Sequence, residues 1–234
     1  MKSREKRRRV VTLLLVACVP IGFFVWFALN PPAEAPVNPQ GVTVSDEPLA
    51  REQLEKLEVK SHQTASKYDR SEFGNGWAAW NSCDTRQKIL ARDLTEVVYD
   101  KNGCTVLTGV LNDPYTGEVI NFVRGTGTSN AVQIDHVVAL SNAWSTGASY
   151  WDKTKRVQLA NDDLELLAVD GKANQQKSNS DASGWLPSNV AFRCQYVARQ
   201  IAVKAKYVLW VTEGEKLAMN KVLDTCPAQR LPAP

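Results

Sequence analysis

The stretch Val132-Gln133-Ile134-Asp135-His136-Val137-Val138, read together with Asn174-Gln175-Gln176-Lys177, decides the fold. The first segment is rich in β-branched residues and reads as a short strand over 132–138. The second comes after another strand-like run over 164–169 and the turn Asp170-Gly171, and reads as a helix. The order is strand, Asp-His, spacer, strand, turn, helix. An imidazole beside a hard oxygen ligand, with an amide oxygen brought in from a later helix, suits hydrolysis of a phosphodiester. The histidine would take a proton from water, and the carboxylate and amide would hold a divalent cation. Adjacent residues on a regular strand face opposite ways. Asp135 and His136 can share a cleft only if the strand bulges or ends there, so an irregularity is expected at that point.

Working outward, residues 85–99 place Ile89, Leu90, Leu94, Val97 and Val98 at helical spacing, closed by Asn102-Gly103. Residues 104–111 and 118–124 read as a hairpin around Asp113-Pro114-Tyr115-Thr116-Gly117, whose composition is that of a turn. Residues 141–159 hold short helical pieces. In the last third Val190, Cys194, Val197, Ile201, Ala205 and Val208 fall on one apolar stripe. Arg199 and Lys206 oppose the stripe, Arg193 and Lys204 flank it, and no acid lies between Gly184 and Thr212. This helix should carry the most cationic surface, either as a solvated outer face or as a phosphate contact. The mixture indicates an α+β domain.

The chain has 234 residues, room for one compact domain of roughly 160 once the ends are set aside. Residues 1–9 carry a net +5 while the whole chain is +3, so the rest is about −2. That excludes a broad basic field, and a nucleic-acid partner must be argued from local patches. Residues 10–29 run without a charge and are long enough to cross a bilayer as a helix. Positive charge ahead of this segment places residues 30–234 outside the cytoplasm. A cleaved signal peptide ending near Ala33-Glu34-Ala35, or a lipoprotein site at Cys18, are the rival readings. Residues 30–66 read as a Pro-rich stalk, with a short helical piece over 49–62 that either continues the stalk or forms an edge helix; 67–227 read as the domain and 228–234 as a tail.

Cys83, Cys104, Cys194 and Cys226 remain once Cys18 is set aside, and an even number in an exported domain reads as two disulfides. Three pairings exist; Cys83–Cys104 and Cys194–Cys226 staple neighbouring elements. A zinc site is the competing use, against which stand the absence of any CxxC spacing and the presence of only two histidines, His62 and His136.

The strand–strand–helix order resembles the HNH, or ββα-metal, nuclease motif. The resemblance extends through Tyr68-Asp69-Arg70, Cys83-Asp84-Thr85-Arg86, the Asp113–Gly117 segment and Ile134-Asp135-His136-Val137-Val138-Ala139-Leu140. It continues through Ala160-Asn161-Asp162, Asn174-Gln175-Gln176-Lys177, Trp185-Leu186-Pro187 and Tyr196-Val197-Ala198-Arg199-Gln200. Over roughly 67–227 the chain resembles exported bacterial HNH-type proteins related to the C-terminal domain of GmrSD-type restriction enzymes. The resemblance implies His136 as general base, Asp135 and Asn174 as ligands of a divalent metal (Mg²⁺, or Mn²⁺), and Lys177 as a phosphate contact. It also implies a loop-positioning asparagine where this chain has Glu165, with Asn161 nearby as a structural residue. From the residues themselves, Arg86 beside Cys83, and Arg124, are further phosphate candidates, with an Asp84–Arg86 contact as the structural alternative for the first. The tryptophans are either core or base-stacking platforms.

These readings lead to an exported, metal-dependent nuclease acting on DNA or RNA, without a small-molecule cofactor. It would be anchored through 10–29, or secreted if that segment is cleaved. Two alternatives are a non-catalytic cell-envelope module that keeps the fold, and a hydrolase of another phosphodiester.

Overall fold

The computed structural model describes residues 47–233, which belong to one compact unit, 45–234. The expected basic start, the apolar segment 10–29 and the stalk up to 46 lie outside the described residues. Among the described residues no helix is long and apolar enough to cross a membrane.

The packed unit begins ahead of the expected start at Lys67. Helix α1 (Ala50–Lys56) buries Ala50 and Leu54 completely in the main core, so this piece belongs to the domain and not to a stalk. Leu49 pairs antiparallel with Arg230, and the Leu231 amide donates to the Pro48 carbonyl at 3.0 Å, so the chain enters and leaves side by side.

A two-residue ribbon, β1 (Ala79–Trp80) with β2 (Cys83–Asp84), leads into α2 (Thr85–Asp93). The Asp84 carboxylate caps α2 by accepting from the Gln87 amide at 2.9 Å. The helix expected to run to residue 99 stops at Asp93, and Thr95–Tyr99 forms strand β3. Thr95, Val97, Val98 and Tyr99 favour extended backbone, and that preference outweighs the apolar spacing. β3 pairs antiparallel with β4 (Val106–Asn112), which pairs with β5 (Val119–Val123) as the expected hairpin. At its turn Gly117 adopts φ +82°. Asp113 accepts from Thr116 through one carboxylate oxygen and from the Asp170 amide, at 2.8 Å, through the other. The turn is thereby fastened to the end of the strand that precedes the site helix.

β6 (Val132–His136) and β7 (Leu166–Asp170) form a separate antiparallel ribbon in unbroken register, from Val132 opposite Asp170 to His136 opposite Leu166. Between them the chain makes α3 (Leu140–Ser145) and α4 (Lys153–Ala160). α5 (Gly171–Lys177) succeeds β7 directly, capped by the Asp170 carboxylate on the Ala173 amide at 2.7 Å. A Cβ on Gly171 would stand 2.0 Å from the Asn130 carbonyl oxygen, so only glycine lets the turn Ser129–Ala131, just before β6, approach the start of α5 this closely.

One face of the ribbon, Val132, Ile134, Leu166 and Ala168, packs with α2 and the three-stranded sheet in a smaller core. The main core is built around α6 (Arg193–Tyr207), with α1, α3 and α7 (Glu213–Leu223). α6 is central, and this overturns its expected cationic face. Arg199 donates to the Asp163, Leu164 and Leu166 carbonyls, Lys204 is fully buried against Glu215, and Lys206 pairs with Asp162. Val208, expected on the stripe, ends the helix in a left-handed conformation, φ +59°, and is exposed. Cys83–Cys104 and Cys194–Cys226 are disulfides, as the neighbouring-element reading expected. Each loop closure contributes about 2–4 kcal/mol. The architecture is mixed α+β with two disulfides.

Candidate active site

A cleft of about 370 Å³ opens where β6 ends against α5, with Arg70, Gln133, Asp135, His136 and Asn174 in its walls. A smaller hollow of about 110 Å³ shares Arg70, His136 and Leu140 with it and adds Trp77 and Ala160. The expected irregularity takes the form of a strand end: β6 has no bulge and terminates at His136. Alternation then sends the two side chains to different neighbours while both residues border the cleft.

His136 places Nε2 3.0 Å from the Ala160 carbonyl oxygen. A carbonyl only accepts, so Nε2 carries the hydrogen and Nδ1 keeps a lone pair. Nδ1 meets no hydrogen-bond partner among the described residues. The Trp77 indole stacks on the ring, centroids 5.6 Å apart and planes 11° apart. Burial pushes the imidazole down to about 3, helped by the charges of Arg70 and Lys177 and opposed by the Ala160 carbonyl. The ring is therefore neutral throughout the physiological range.

The Asp135 carboxylate accepts from the Tyr115 hydroxyl at 2.5 Å on one oxygen and from the Lys177 ammonium at 3.0 Å on the other. Burial pushes this carboxyl up, while Lys177 and Tyr115 pull it back. Each oxygen retains a second lone pair. The Asn174 amide nitrogen donates to Gln133 Oε1 at 2.9 Å, which fixes the amide plane. Its Oδ1 is left without a protein partner among the described residues. The structure thus brings Asp135, His136 and Asn174 to one cleft.

Two expected phosphate contacts are not placed for that role. Lys177 is fully buried, and its ammonium is spent on Asp135 and, at 2.8 Å, on the His136 carbonyl. The short helix turns it inward, where it braces the end of β6. Arg86 does not line the cleft. It donates to the Val132 and Ser129 carbonyls at 3.0 and 3.4 Å and holds the start of β6, whereas its suggested partner Asp84 caps α2.

Glu165 is fully buried. Its Oε2 accepts from the Val138 amide at 3.2 Å and its backbone carbonyl from the Val137 amide at 2.9 Å, so it pins the loop after His136. Burial raises its carboxyl well above the usual range, and Oε1 has no partner among the described residues. Asn161 ties the Ala78 amide to the end of α4. Trp144 and Trp185 pack against aromatic neighbours in the main core. Among the described residues, no group of three or more His, Cys, Asp or Glu side chains is placed to hold a metal ion.

Sequence reasoning misses one residue of the cleft and one of the hollow beside it. Arg70 stood inside the Tyr68-Asp69-Arg70 segment without a role, and Trp77 was one tryptophan among several. Tyr115 was read as turn chemistry alone, yet its hydroxyl holds Asp135.

The family model for the C-terminal domain of GmrSD restriction endonucleases matches residues 84–222. This chain belongs to that family. A protein of Arthroderma benhamiae described as an uncharacterized secreted protein is 35% identical over 200 residues, 85% of this chain and 93% of that one. No solved structure matches. The GmrSD C-terminal-domain match encloses Asp135, His136, Glu165, Asn174 and Lys177. Tyr68, Arg70 and Trp77 come from the segment before it.

Proposed function

We propose that this domain hydrolyses nucleic-acid phosphodiester bonds, with His136 as general base and a divalent cation as cofactor. The imidazole carries the reading. Its hydrogen is committed to the Ala160 carbonyl, and Nδ1 keeps a lone pair on a residue that borders the cleft. A water bonded to Nδ1 loses a proton to it as the water oxygen bonds to phosphorus and the bond to the leaving oxygen breaks. The Nε2–H bond to Ala160 and the Trp77 stack hold the ring plane through that transfer.

The donors fit a hard cation. Asn174 Oδ1 lacks a protein partner among the described residues, and each Asp135 oxygen has a lone pair to offer. These two residues would hold Mg²⁺ or Mn²⁺, a metal that keeps several waters of its own. When bound, such an ion supplies positive charge against the phosphate in the transition state. Family membership supports a nuclease. The two disulfides and the relative described as secreted support an extracytoplasmic setting.

Two observations favour a non-catalytic module instead: the Lys177 ammonium already neutralises Asp135, and burial holds the His136 imidazole far below the pKa that suits a general base. The test is incubation of the purified full chain with plasmid DNA and with RNA, in Mg²⁺, Mn²⁺ or EDTA. Metal-dependent cleavage that disappears in His136→Ala and in Asn174→Ala supports hydrolysis. A folded protein that cleaves neither polymer with either metal refutes it and leaves the binding module. Turnover of a small phosphodiester alone points to another substrate.

A further inference from the structure

We propose that Arg70 is the anion-binding group of this cleft and contacts the substrate phosphate beside His136. The identity of that anion as nucleic acid rests on the hydrolytic reading; the placement of the arginine does not.

Arg70 borders both the cleft and the smaller hollow, and it is the only cation among the described residues lining either one. It is exposed, and its charge reaches the imidazole. Its guanidinium lies beside the Tyr68 hydroxyl and meets neither a carboxylate nor a backbone carbonyl among the described residues. The others are all committed. Arg51, Arg92 and Arg156 pair with carboxylates, and the remaining described arginines donate to backbone carbonyls.

The acids nearest to Arg70 in sequence are also in use. Asp69 caps the turn Arg70–Phe73 by accepting from the Ser71 amide at 2.8 Å, and Glu72 holds Arg156. Phe73 anchors the same turn by packing on Tyr68 and Trp144. The backbone under Arg70 is therefore fixed, while its side chain is left without an internal counter-charge. A planar five-donor cation in that position suits bidentate capture of a phosphate. With Lys177 buried and Arg86 elsewhere, no other cleft residue offers that contact. The segment before the family match thus contributes a substrate contact to a site whose other members lie within it.

The test uses the full chain in EDTA, which separates binding from cleavage, and a fluorescent single-stranded oligonucleotide titrated over a range of salt. Arg70→Ala should weaken binding about tenfold and flatten the slope of log affinity against log salt by roughly one. Arg86→Ala, away from the cleft, should leave the slope unchanged. In Mg²⁺, millimolar guanidinium should restore part of the cleavage lost in Arg70→Ala. The salt-slope result supports the assignment even if the parent never cleaves, which would sink the hydrolytic reading alone. A folded Arg70→Ala protein with parental affinity and slope overturns the assignment, as does a parent that binds no oligonucleotide at low salt. Arg70→Gln is read in the same way if the alanine variant unfolds.

Discussion

Acidification should destabilise the parent protein more than it destabilises His136→Asn, and the difference measures what burial does to the imidazole. In the unfolded chain a histidine titrates near 6.5, whereas His136 in the fold is pushed down to about 3. Between those values the unfolded chain binds a proton that the folded chain refuses. The stability is present above the unfolded value and is lost as pH falls. The loss is about 1.4 kcal/mol per pH unit, so roughly 2 kcal/mol has gone by pH 5 and about 4 kcal/mol near pH 3. Asp135 and Glu165 act in the opposite sense, because burial raises both carboxyls and the folded chain protonates first. Those contributions are common to parent and variant, so the difference between the two proteins at pH 7.5 and at pH 5 isolates the imidazole. The assay is urea unfolding in EDTA with the disulfides intact. The variant's lost Ala160 contact is independent of pH and cancels. If parent and variant lose equal stability between the two pH values, to within about 0.5 kcal/mol, the ring is solvated and the reasoning fails.

Lys177→Met should lose about 3–5 kcal/mol of stability, because it leaves the Asp135 carboxylate buried beside Tyr115 alone, and should not weaken oligonucleotide binding in EDTA. Urea midpoints and the binding titration check it, and retained stability with weakened binding would show an outward-facing lysine. Gly171→Ala should cost about 1–3 kcal/mol or more, since the added Cβ would stand 2.0 Å from the Asn130 carbonyl oxygen. An unchanged unfolding midpoint would mean that the turn Ser129–Ala131 and α5 are not packed as described.

Much of the frame was legible because its signals are local. The β4–β5 hairpin came from turn residues, the β6–β7–α5 order from strand patterning and Asp170-Gly171, and the disulfides from cysteine position. Local signals failed where tertiary contacts decide. Residues 95–99 satisfy a helical period and a β preference equally well on paper, and the neighbouring β4 settles the matter. Lys177 lies three positions after Asn174, which says that they share a side of the helix but not whether the lysine tip reaches solvent or the ribbon. Lys204 and Arg199 misled for the same reason: a helix rich in cations reads as a surface unless its partners, here Glu215 and a set of carbonyls, are known. Arg70 carries no local signal. Its distinction is that every other described arginine is engaged, and that is a property of the whole fold.

The pairing of Leu49 with Arg230 has a practical consequence. Because the first and last described segments run against each other, a short linker could join them, and the chain could be reopened at the exposed tip Lys101-Asn102-Gly103 without cutting any element that shapes the cleft. Such a circularly permuted protein would keep Asp135, His136 and Asn174 on one continuous polypeptide while moving both termini to the rim of the three-stranded sheet.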